Sequence, residues 1–157
     1  MTFQSILRRI ITFFAAVVLA TVVACLIGTQ FVLAALTGIG VDIPLSDRLS
    51  TTWYDLVNFG FVPSPAFGFS YAVVIAIGLF IAFLVAAALS YFIPRFRTVI
   101  YTVAGAAAIL AFLGSSYFVF GASMFAFAQT PMGLITQAAA GAVGGWVFAT
   151  YSKQEIT

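Results

Sequence analysis

Residues 71–93 read YAVVIAIGLFIAFLVAAALSYFI, an unbroken apolar run without Asp, Glu, Lys or Arg. A helix that crosses a membrane needs ~20 such residues, because the hydrocarbon is ~30 Å thick and each residue rises ~1.5 Å. Three further stretches have the same character: about Ile10–Leu36, Val99–Phe120 and Pro131–Thr150. The first would extend ~40 Å as a helix, so it must tilt or project into one interface. A transmembrane barrel would instead show alternating segments of ~10 residues with polar lumen positions. Long unbroken runs exclude it. The expected fold is all-α: one transmembrane domain over residues 1–157, built as an integral membrane four-helix bundle.

Composition agrees. The chain is 64% hydrophobic and only 6% charged, whereas a soluble domain carries about 25% charged residues. A soluble enzyme, a disordered chain and a nucleic-acid binder are excluded, the last because six scattered cations make no basic face. There is no His, which excludes bis-His haem, the usual zinc sites and imidazole catalysis. One Cys cannot form an internal disulfide. No catalytic residue, cofactor site or metal site is expected, and the chain reads as a non-enzyme.

The cations set an orientation. Arg8 and Arg9 precede the first span, Arg95 and Arg97 join the second to the third, and Lys153 follows the fourth. With four spans these places share a side, which the positive-inside bias makes cytoplasmic, with both termini. The other side holds Arg48 with Asp42, Asp47 and Asp55. Rings follow the two interfaces. Trp53, Tyr54, Phe59, Phe61, Phe67, Phe69 and Tyr71 cluster outside, and Tyr91, Phe92, Phe96, Tyr101, Trp146 and Tyr151 inside. Arg95 and Arg97, after the helix-ending Pro94, are expected to meet anionic headgroups.

Val22-Val23-Ala24-Cys25 resembles the lipobox of bacterial lipoproteins, whose Cys is lipidated. Apolar sequence continues past Cys25 to Leu36, as a span requires. Cys25 is therefore expected to be a small apolar residue in a packed helix.

Lipid is as apolar as Leu, so helices pair through small residues that let backbones approach. Such residues recur every four positions: Ala16, Ala20, Ala24 and Gly28; Gly78, Ala82, Ala86 and Ser90; Ala107, Ala111 and Ser115; Gly133, Gly141, Gly145 and Ala149, with Gln137 in the gap of the last. Gly141 and Gly145 form a GxxxG pair. Whether that face turns inward or toward a second copy is left open by the spacing.

Residues 37–70 are the one long connection, expected to be periplasmic. Within it Ser46–Phe59 reads as a short amphipathic helix, with Ser46 as N-cap and Asp47 at the positive end of the dipole. Leu45, Leu49, Trp53, Leu56, Val57 and Gly60 form its apolar side. It should lie flat on the outer leaflet or cap the bundle. Asp47, Arg48 and Asp55 are expected on a water-facing side, and with Trp53 they make the candidate partner surface.

The few intramembrane polar residues share a depth. Gln30, Ser115, Ser116 and Gln137, with Gly78 beside them, could form one layer roughly 9 Å below the outer surface. Such a layer is either hydrogen-bond glue between helices or an outward-facing pocket for a lipid or small neutral ligand. No span carries an acid or base, which disfavours ion-coupled transport. Two functions remain. One is an accessory or scaffolding subunit that binds other membrane proteins, or its own copies, through small-residue faces and the outer cap. The other is a binder or transporter of lipid or a small hydrophobic molecule.

The stretches GAVGGWVFA (Gly141–Ala149) and VDIPLSDRLSTTWYDL (Val41–Leu56) resemble a group of small uncharacterised four-span proteobacterial inner-membrane proteins. The resemblance implies the same topology and a bacterial inner (cell) membrane location. It brings no activity and no functional residues.

Overall fold

A computed structural model describes residues 3–65, 68–121 and 125–152, with the side chains of 119 and 120 left aside. Phe67 and Lys153, used above for topology, lie outside the described residues. The order is α1 (Phe3–Gly38), α2 (Leu45–Asp55) continued by a π turn (Leu56–Phe61), α3 (Tyr71–Phe92), α4 (Arg97–Phe120) and α5 (Pro131–Tyr151). Single 3-10 turns at Pro94–Phe96 and Ala126–Gln129 lead into α4 and α5. The described residues form no strand. The four long helices, α1, α3, α4 and α5, are each long and apolar enough to cross a membrane. The fold is an all-α transmembrane bundle.

Local chemistry places the helix ends. Pro94 cannot donate to the preceding turn, and α3 stops at Phe92. Gly121 closes α4 at φ 68°, a left-handed conformation that suits glycine. Thr130 accepts a bond from the Gly133 amide (3.1 Å) and Pro131 fills the first turn, so α5 has a complete N-cap. Two ends differ from expectation. The α1 helix begins at Phe3, well before Ile10. The α2 helix begins at Leu45 with Pro44 at the cap position, so Ser46 does not cap it. The Ser46 hydroxyl bonds Asp47 instead.

The α5 helix is the keel of the bundle, pressed between α4 and α1, with α3 completing the set against α4. Its glycines explain why. A methyl group on Gly141 would overlap the carbonyl oxygen of Gly105, and one on Gly145 would overlap that of Tyr101. Gly144 faces the other way, with Ala20 and the Ala16 carbonyl about 3 Å from where its Cβ would sit. The GxxxG pair is therefore consumed inside the protomer, which resolves the choice that the spacing left open. Ala16, Ala20 and Ala24 are fully buried, as their stripe implies.

On α4 the expected stripe is the wrong one. Ala107, Ala111 and Ser115 are exposed, while Tyr101, Gly105, Ile109, Leu113 and Ser116 are buried. Gly78 on α3 is not a point of close approach either. A Cβ there would lie 3.8 Å from Ala108, an ordinary contact. Of the expected stripe only Ala86 is buried, and it ends a face of larger residues, Tyr71, Ile75, Leu79 and Phe83, at four-residue steps with one three-residue step.

Candidate functional sites

Gln137 is completely buried on α5. Its amide Nε2 donates to the Ala24 carbonyl of α1 (2.9 Å), and the Tyr71 hydroxyl of α3 reaches its Oε1 at 3.4 Å. Three helices therefore meet at one side-chain amide. Gly28 makes room: a Cβ there would stand 3.3 Å from Gln137 Nε2 and 3.0 Å from the Phe127 ring. Rings seal the junction, with Phe59, Phe125 and Phe127 each within 6.3 Å of Tyr71, centroid to centroid. Such a bonded amide is glue between helices.

The expected polar layer does not assemble around it. Gln30 is exposed and donates to Thr52 of α2 (3.0 Å). Ser115 and Ser116 bond back to the Phe112 and Leu113 carbonyls of their own helix. Equal depth did not bring these side chains together, because depth leaves the direction around each helix free. Tyr71, expected among the interfacial rings, is buried at 4% exposure and supplies the contact that the missing members do not.

The α2 helix departs from its expected pose. It neither lies flat nor caps the bundle, but runs antiparallel beside the last third of α1. Successive contacts trace its descent. Arg48 Nη2 donates to Thr37 (3.0 Å), Thr29 donates to Asp55 Oδ2 (2.9 Å), and Gly60 packs on Cys25, whose Sγ would be 3.2 Å from an added Cβ. Arg48 and Asp55 thus serve the α1–α2 pair rather than a water-facing surface. Cys25 is buried within unbroken helix. Gln137 lies level with Ala24, so Pro131, six residues earlier on α5, lies near the level of Gln30. The α1–α2 hairpin therefore rises about 12 Å past the start of α5. Leu45, Leu49 and Trp53 point outward from it at 72%, 64% and 68% exposure. Asp47 is exposed beside them.

At the other end two arginines hold α5. Arg8 Nε donates to the Tyr151 carbonyl (2.8 Å), and Arg97 donates to the Ala149 carbonyl and to Ser152 Oγ (2.6 Å). Arg97 also lies over the Tyr101 ring, 5.0 Å from its centre. Both cations sit at the negative end of the α5 dipole, where the helix has no basic residue in its own last turn. Arg97, expected among headgroups, is thus half turned into the protein. That role was missed because its acceptors lie more than 50 residues away in sequence.

A fourth feature is an open groove of about 740 Å³ between α3 and α4, floored by Gly78, Ala82, Ala107 and Ala111. Among the described residues no three His, Cys, Asp or Glu side chains gather as metal ligands. No protein family, curated protein or solved structure matches the chain.

Proposed function

We propose that this chain is a non-enzymatic accessory or scaffolding subunit of a bacterial inner membrane, with the arginine end in the cytoplasm and the α1–α2 hairpin in the periplasm. The observation that carries this reading is the hairpin. It lifts Leu45 and Leu49 past the start of α5, with Trp53 exposed about level with that start, while its polar groups are spent on α1. An apolar ridge beside exposed charge marks a protein-binding surface. The α3–α4 groove extends that surface into the membrane, since its small residues are free of the packing that occupies those of α5. The partner is another membrane protein or a second copy of this chain.

The pocket version of the lipid-binding alternative loses its support here, because the Gln137 amide is bonded on both its nitrogen and its oxygen. A photo-crosslinking residue at Leu49, tested in native membranes, examines the proposal. Discrete protein adducts, abolished by Trp53→Glu, are expected. Adducts with lipid alone, at Leu49 and also at Ala107, would overturn it.

A further inference from the structure

The arginine end of the bundle contains a second cleft, of about 700 Å³, between α1 and α3. Its mouth carries Arg9 from α1 and Arg97 from α4. The two carry like charge and line the same cleft. The described carboxylates, Asp42, Asp47 and Asp55, belong to the opposite end, so none balances this pair. Arg97 uses two of its nitrogens on α5, and its charge is not neutralised by doing so. Arg9 is exposed and, among the described residues, makes no hydrogen bond. Below the mouth the cleft becomes a slot lined by Phe13, Phe80, Phe83 and Leu84. Ser90 also lines it, and its hydroxyl oxygen is shut off from solvent with no hydrogen-bond partner among the described residues.

We infer that this cleft is a binding site for one anionic phospholipid of the adjacent leaflet. The phosphate sits between Arg9 and Arg97, the Ser90 hydroxyl rotates about its Cα–Cβ bond to donate to a phosphate or ester oxygen, and one acyl chain lies in the slot. Three observations converge on that chemistry. Two cations at the edge of the bundle, with no carboxylate beside them among the described residues, favour an anion. An apolar slot directly beneath them suits a chain tethered to that anion and offers a free phosphate ion nothing. The orphaned hydroxyl supplies a donor where the two parts join. The volume is within the ordinary range of a small-molecule site.

Native mass spectrometry of the full chain in a mild detergent tests this, with phosphatidylglycerol and phosphatidylcholine of identical chains as probes. One phosphatidylglycerol should bind in preference to phosphatidylcholine. Arg9→Gln should weaken phosphatidylglycerol about fivefold, the share of one cation near a lipid surface, and leave phosphatidylcholine unchanged. Ala87→Phe, which fills the slot without altering charge, should also weaken it at least fivefold. Both positions are exposed, and a melting curve for each variant shows that the fold persists. Equal binding of the two lipids, or full retention in either variant, would overturn the site. Displacement of the lipid by millimolar inorganic phosphate would overturn it as well, since that result assigns the arginines to a soluble ion.

Discussion

Replacing Gly141 by alanine should force α4 and α5 apart. The new methyl group would overlap the Gly105 carbonyl oxygen, and a carbon sits about 3.3 Å from such an oxygen at its closest. The helices must therefore separate by on the order of 1 Å, which forfeits up to about half of the dispersion attraction of each facing atom pair. This interface is the most extensive in the bundle, and overpacking of this kind costs about 1–3 kcal/mol. Alanine's better helix propensity offsets at most ~1 kcal/mol. At Gly78 the same methyl group meets Ala108 at 3.8 Å, so only the propensity gain acts. Gly141→Ala and Gly78→Ala should differ by about 1–3 kcal/mol, with Gly141→Ala the less stable. Reversible unfolding in mixed micelles of dodecyl sulfate and a mild detergent measures the difference. Equal stabilities of the two variants would refute the close packing of α4 on α5.

Gln137→Leu should lower bundle stability by about 1–2 kcal/mol, because it leaves the Tyr71 hydroxyl and the Ala24 carbonyl without their partner. Gln30→Leu, at an exposed position, should change it by no more than ~0.5 kcal/mol in the same assay. Asp55→Asn weakens the charged acceptor of Thr29 and should speed hydrogen exchange of the α2 amides while α3, α4 and α5 stay protected. Unaltered α2 protection would mean that the apolar contacts of the π turn hold the hairpin by themselves. Arg97→Gln should fray the last turn of α5, with faster exchange near Ala149–Tyr151 and a stability loss of about 1 kcal/mol.

Much of the architecture is legible in the sequence because hydrocarbon imposes so few solutions. A run such as Tyr71–Ile93 has no use in water, and its length matches the bilayer. What the spans do to each other is less legible. Alanine is abundant on α4, so the four-residue rhythm of Ala107, Ala111 and Ser115 reads like a seam. Gly105, placed where a backbone must touch the Gly141 backbone, carried the true signal. The polar layer failed for a related reason: Gln30 and Gln137 were compared by depth, and only direction distinguishes them. The short helix was recognised by its period, but its two sides were assigned by the rules of a water-soluble surface. Beside α1 those rules reverse. Thr29, Gln30 and Thr37 offer α2 polar partners, so Thr52, Asp55 and Arg48 turn inward and the leucines outward.

The topology is open to one direct measurement. With Cys25 replaced by alanine, a single cysteine is placed either at Ser50 on α2 or at Gln4 near the start of α1, both exposed positions. A membrane-impermeant maleimide is then applied to intact cells. Four spans with the arginine end in the cytoplasm predict labelling at position 50, and at position 4 only after the inner membrane is opened. Labelling at position 4 in intact cells, or none at position 50, would contradict the arrangement from which every functional statement here proceeds.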